Sequence, residues 1–134
     1  MIIIVGKTAA GKHTAAEYLK ETFELDDVVI ANPSELDALE SANPEAVTLL
    51  MRANDNYRKD RFRKDKGDSY DEETFRQIEA QERRAYDGFN AAHKVHATLS
   101  NDCDRGMLRI CLDYFMRNYF PDIAKAHLKY SWEV

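Results

Sequence analysis

Ile2-Ile3-Ile4-Val5-Gly6-Lys7-Thr8-Ala9-Ala10-Gly11-Lys12-His13-Thr14 follows the initial Met1, and its reading decides the rest of the chain. Four β-branched residues in succession suit a strand buried on both faces, as in the middle of a parallel sheet. Gly6, four further residues, Gly11 and Lys12 then match the spacing of a phosphate-cradling loop, whose backbone N–H groups turn inward to meet phosphate oxygens. Gly6 and Gly11 permit that turn, a helix beginning directly behind the loop adds unpaired N–H groups and a positive dipole end, and Lys12 adds a mobile cation. Lys7 stands where it could reach a phosphate too. From Thr14 to Phe23, Ala15, Tyr18, Leu19 and Phe23 recur at helical spacing, so the expected order is strand, loop, helix. His13 breaks the pattern, because the residue after the lysine is normally a hydroxyl that meets Mg²⁺, and an imidazole is a poor ligand for so hard a cation. A hydrogen bond from His13 to a phosphate oxygen and a plain first-turn helix residue are both consistent with its place.

The remaining composition bounds what can be built on that start. At 134 residues, 44% apolar and 32% charged, the chain is expected to form one α/β domain. No stretch approaches the length of a membrane span, and the short apolar run before Gly6 lacks the basic region of a signal peptide, so a cytoplasmic location is expected. Cys103 and Cys111 are too few for a metal cluster and unsuited to pair with each other. Between Arg52 and Lys66 seven basic residues face three acids, a local charge of +4 in a chain of net −5, which leaves −9 elsewhere. One basic arm on an acidic body points to a local anionic ligand, and it argues against a nucleic-acid surface, since the sequence pI is near 5.4. A solvated helix laced by Asp55/Lys59 and Asp60/Lys64 pairs explains the same segment equally well.

Further along, Asp27 to Ala31 reads as a short strand, Ser34 as the cap of a brief helix through Glu40, and Ala46 to Met51 as a third strand. A charged helix is predicted from Asn54 to about Arg63, a break at Lys66-Gly67-Asp68, and a long helix from Asp71 to Phe89 with Phe75, Ile78, Glu82, Tyr86 and Phe89 near one stripe. Glu82 is a polar interruption of that stripe. Val95, Ala97 and Leu99 alternate as a last strand, Asn101-Asp102 opens a final helix, and Pro121 separates a tail helix. Strands alternating with helices predict a three-layer α/β/α arrangement around a mainly parallel sheet of about four strands, with the first strand central and the loop at its carboxyl edge. His93, His96 and His127 have no partner at metal or catalytic spacing.

In this order the residues resemble the P-loop nucleoside monophosphate kinases, closest in layout to guanylate kinase and the deoxynucleoside monophosphate kinases. Gly6 to Thr14 resembles their ATP phosphate loop, including a variant in which the hydroxyl comes one residue late, as Thr14 does. Residues 54–70 resemble the basic lid, with Arg58, Arg61 and Arg63 as lid arginines, and Arg76 resembles the following phosphate-contacting arginine. The acid expected seven residues after it is Arg83, with Glu82 one position early. Ser100-Asn101-Asp102 resembles the loop bordering the base.

The resemblance implies an enzyme that binds ATP and Mg²⁺ and transfers a phosphoryl group to a small acceptor, most simply a nucleoside monophosphate. Gly6, Lys7, Thr8, Ala9, Ala10, Gly11, Lys12, His13, Thr14 and Asn101 would hold the nucleotide, and Lys12, Arg58, Arg61, Arg63 and Arg76 would act in transfer. No residue is assigned to the metal, and no nucleic acid or membrane partner is expected; an oligomer is compatible with the sequence. Between Phe23 and Val28 there is no room for the acceptor domain of the family, and Asn32 stands where a metal-organising aspartate often stands. A non-catalytic nucleotide-binding module is therefore the alternative reading, beside another small-molecule kinase such as one acting on dephospho-coenzyme A.

Overall fold

The apolar, β-branched runs become strands of one parallel sheet, and the segments between them become helices on its two faces. The computed structural model describes residues 1–87, 89, 95–102 and 104–128. In chain order these form β1 (Ile2–Gly6), α1 (Lys12–Phe23), β2 (Val28–Ile30), α2 (Pro33–Ala42), β3 (Val47–Arg52), α3 (Asp55–Lys66), a 3₁₀ turn (Gly67–Ser69), α4 (Glu72–Ala85), β4 (Ala97–Ser100), α5 (Arg105–Tyr119) and α6 (Pro121–His127). The strand order is β2-β1-β3-β4, with Ile2 of β1 level with Val28 on one side and Val47 on the other. β3 and β4 are parallel as well.

Alternation along the strands divides the core in two. Ile2, Ile4, Leu49, Met51 and Leu99 pack against Leu19 and Phe23 of α1, Leu112 and Met116 of α5, and Ala124 of α6. Ile3, Val5 and Leu50 face the other way, toward Leu36 of α2 and Phe89. Helices thus cover both faces of an α/β sheet, an arrangement compatible with three α/β/α layers. Among the described residues no helix is long and apolar enough to cross a membrane.

Several boundaries differ from the sequence reading, each for a local reason. α2 begins at Pro33, not behind Ser34, because Asn32 caps it and its N–H donates to the Glu35 carboxylate at 3.0 Å. α3 continues to Lys66, and the break falls at Gly67, whose φ of 55° ends the helix. α4 stops at Ala85, short of Phe89. β4 starts at Ala97, not Val95. α5 is capped by Asp104, whose side chain accepts the Met107 N–H at 2.9 Å, while Asn101 and Asp102 belong to the preceding turn. The anticipated pairing along α3 is also replaced: Asp55 pairs with Arg58 at 2.6 Å and Lys59 reaches across to Glu72 of α4 at 2.7 Å. Cys111 is half-buried on α5, whereas Cys103 and His93 lie outside the described residues.

β1 ends in the residue that fixes its distance from β3. A Cβ on Gly6 would stand 2.5 Å from the Met51 carbonyl oxygen, a backbone atom that cannot withdraw without disturbing the β1–β3 ladder. Gly6→Ala should therefore lower stability by about 1–3 kcal/mol through overpacking. Urea denaturation should show a lower midpoint at unchanged slope; an unchanged midpoint would mean that the strands separate freely at this end.

Candidate functional site

The turn from Gly6 to Thr14 leaves the carboxyl end of β1, an inner strand, and runs directly into the N-terminus of α1. Two left-handed residues shape it, Gly11 at φ 96° and Ala9 at φ 63°, and the Ala10 N–H closes it by donating to the Lys7 carbonyl at 3.1 Å. Gly11 is also required by space, since a Cβ there would collide with the Asn101 side-chain amide. Lys12, in the first turn of α1, folds back across the loop and donates to the Gly6 carbonyl at 2.6 Å. Burial lowers its pKa below the ordinary 10.5, and the nearby Glu82 carboxylate only partly opposes the shift.

One loop donor already holds an anion. The Thr8 N–H meets both carboxylate oxygens of Glu82, at 2.9 and 2.8 Å, and the Thr8 hydroxyl donates to the same group at 3.1 Å. Four residues on, directly past the end of α4, the Tyr86 hydroxyl accepts the Gly6 N–H at 2.7 Å. Burial pushes the Tyr86 pKa up to about 12, with the Glu82 charge adding to the rise and the Gly6 N–H opposing it, so Tyr86 stays a neutral phenol. Glu82 is the polar interruption noted in the stripe of this helix, and the loop is what the interruption serves.

α3 braces the loop from outside. The Arg58 guanidinium, 1% exposed, pairs with both Glu79 carboxylate oxygens and with Asp55, and it approaches the Thr8 carbonyl at 3.4 Å. Burial works against its charge, but the bonds to Glu79 and Asp55 outweigh that and raise its pKa. One turn on, Arg61 donates to the Ala9 carbonyl at 3.2 Å and to the Asn101 carbonyl at 2.6 Å. Asn101, 7% exposed, returns a bond from its amide to the Ala10 carbonyl at 3.2 Å. Arg58, Arg61 and Asn101 thus grip the Thr8, Ala9 and Ala10 carbonyls of the loop.

The remaining sequence candidates separate. His13 is exposed at the start of α1, and together with Thr14, Lys12, Arg61 and Lys64 it borders a cleft of about 800 Å³. Lys7 turns to the other side of the loop, into a cleft of about 390 Å³. Arg63 is exposed and lies 5.0 Å over the Tyr70 ring. Arg76 is 71% exposed with Glu72 at 3.9 Å, and it borders neither cleft. On the same helix Arg83 does border the smaller one, a position that spacing from Arg76 alone did not reveal.

Comparison with known proteins adds the fold alone. No protein-family model matches the chain, and no curated protein matches it. A solved structure of an uncharacterized protein from Eubacterium ventriosum is similar over 87% of this chain and 98% of that one, with a TM-score of 0.62 at 14% sequence identity.

Two outcomes test this geometry with inorganic tripolyphosphate as the probe. An anion entering at Thr8 must displace Glu82, so Glu82→Gln should tighten tripolyphosphate binding by about fivefold or more, because a charged hydrogen-bond partner is replaced by a neutral one. Weaker binding in calorimetry would mean that the carboxylate assists the anion. Binding should also be accompanied by proton uptake at alkaline pH. Lys12 begins with a lowered pKa, the bound anion raises it, and between the two values the ammonium form is restored; affinity therefore falls as pH rises through the lowered value. Buffer-dependent enthalpies should show the uptake in the natural chain and not in Lys12→Met.

Proposed function

We propose that the chain is a reduced P-loop kinase: the Gly6–Thr14 turn binds the phosphates of ATP, and the γ-phosphoryl group passes to a small acceptor, most simply a nucleoside monophosphate, in the manner of guanylate kinase-like enzymes. The observation that carries the reading is the carboxylate of Glu82 held by the Thr8 N–H and hydroxyl, with Lys12 across the same loop. These groups select an anion, and a phosphate offers more acceptor oxygens in the same place. The helix start behind the loop adds its dipole, and the larger cleft, with Arg61, Lys64 and Lys66 on its wall, gives a triphosphate room to leave the loop.

Phosphoryl transfer leaves the protein little covalent chemistry to perform, so positioning and charge carry it. An oxygen of the acceptor attacks the γ-phosphorus, the bond to the bridging oxygen breaks, and its electron pair remains on the departing nucleoside diphosphate. A phosphate dianion as acceptor has no proton to lose. Lys12 and Arg61 are the cations beside the transferred group, and Arg58 is a positioning residue that acts through the Thr8 carbonyl.

Among the described residues no three His, Cys, Asp or Glu side chains converge on a metal site, so Mg²⁺ would arrive on the triphosphate. Hydroxyls of Thr8 and Thr14 and the Glu82 carboxylate bonded to Thr8 are hard oxygen donors that would suit that ion where the exposed His13 imidazole would not. When bound, Mg²⁺ supplies positive charge to the β- and γ-oxygens.

The reading of a non-catalytic nucleotide-binding module draws support from the same Glu82 plug and from β2, which starts at Val28 soon after α1 ends at Phe23. Acceptor-dependent ADP formation, measured with a panel of monophosphates and dephospho-coenzyme A, separates the two. Lys12→Ala should weaken triphosphate binding roughly tenfold to a hundredfold, the loss of one charge-assisted contact worth about 1.5–3 kcal/mol, with the thermal transition retained. Unchanged affinity would remove the loop as the site.

A further inference from the structure

The cleft of about 390 Å³ bordered by Asp55 and Arg58 of α3 is lined by three basic side chains besides Arg58. Lys7 comes from the loop, Arg52 from the end of β3 and Arg83 from α4. Among the described residues none of them makes a hydrogen bond or an ion pair, although acids outnumber bases in the chain by 24 to 19. Two other charged groups on the wall, Arg58 and Asp55, are already paired with each other at 2.6 Å, and Asp87 is the remaining acid. Asp55 registers the convergence. Its carboxyl is held below the ordinary range first by the bond from Arg58, and also by the charges of Lys7 and Arg83. The apolar part of the lining on the Leu50 side of the sheet comes from Leu50, Tyr86 and Phe89.

We propose that this cleft is a second anion site that takes a phosphate monoester with a flat, apolar-faced body, its phosphate on Lys7, Arg52 and Arg83 and its ring against Leu50, Tyr86 and Phe89. The volume lies within the range of small-molecule pockets. Guanidinium groups arriving from two elements suit bidentate phosphate recognition, and the excess of four basic side chains over two acids in the lining favours a dianion over a neutral ligand. The site depends on no inserted domain. In the proposed reaction, on which its role as acceptor site rests, the two clefts border different residues of the loop and different ends of α3, so a triphosphate and an acceptor would approach the loop from different directions.

The test is calorimetry on the full chain with GMP, AMP, CMP and dTMP, with guanosine and inorganic phosphate as partial probes, in the absence and presence of saturating β,γ-imido-ATP. At least one monophosphate should bind more tightly than either partial probe, and the imido analogue should not displace it. Arg83→Ala and Arg52→Ala should each weaken that monophosphate about tenfold, as expected for one charged contact, while affinity for the imido analogue changes less than about twofold. Arg83→Lys should recover part of the loss. Arg83 and Arg52 are both exposed, and unchanged thermal transitions will exclude unfolding as the cause. Unaltered monophosphate affinity in Arg83→Ala, displacement by the imido analogue, or no monophosphate binding at millimolar concentration would each overturn the site. The phosphate-loop reading fails separately, through absent binding of the imido analogue to the natural chain.

Discussion

A single residue, Thr8, joins three parts of this molecule that lie far apart in sequence. Its N–H is held by Glu82 of α4 and its carbonyl is approached by Arg58 of α3, while Arg58 itself is tied to Glu79, one turn before Glu82. The guanidinium is 1% exposed, so its charge is tolerable only with both carboxylates in place. Removing it would strand Glu79, which is 15% exposed, and would leave α4 tied to α3 only through Lys59–Glu72 and the Phe62–Phe75 contact. The loop keeps its shape because two charged helices are locked to each other above it, and the helices stay locked because the loop offers them a donor and an acceptor.

Beneath that clamp the architecture follows from local pattern. The run Ile2 to Val5 is buried completely, with none of its residues more than 2% exposed, as an inner strand of a parallel sheet must be, and the helical spacing after Gly11 delivers Ala15, Leu19 and Phe23 to the core. Strand, loop and helix were legible because each is decided within about ten residues by periodicity and glycine placement. What lay beyond reach was pairing across long separations. Thr8 and Glu82 are 74 residues apart and Arg61 and Asn101 are 40 apart, and no local rule joins them. Glu82 did leave a trace as the charged break in an apolar stripe, yet a stripe tells only that a face is covered, not by what.

The arginines show the same limit from another side. Spacing put Arg58 and Arg61 on one face of α3, and both do face the loop, but as braces on its carbonyls. Arg76 and Arg83 lie on one helix, two turns apart; Arg83 stands next to Glu82, which the loop holds, and borders the smaller cleft, whereas Arg76 does not.

The clamp also determines how a bound phosphate would be felt. Helices α3 and α4 are joined by Arg58–Glu79 and by Lys59–Glu72, so they respond as a pair. A phosphate that takes the Thr8 N–H evicts Glu82 from α4, and the same helix carries Arg83 beside one cleft while its partner α3 carries Arg61 beside the other. In the proposed reaction, occupancy of the loop by a triphosphate is therefore coupled to the cations on both sides of it. That coupling needs no separate acceptor domain, because the pair of helices already spans the distance between the two clefts.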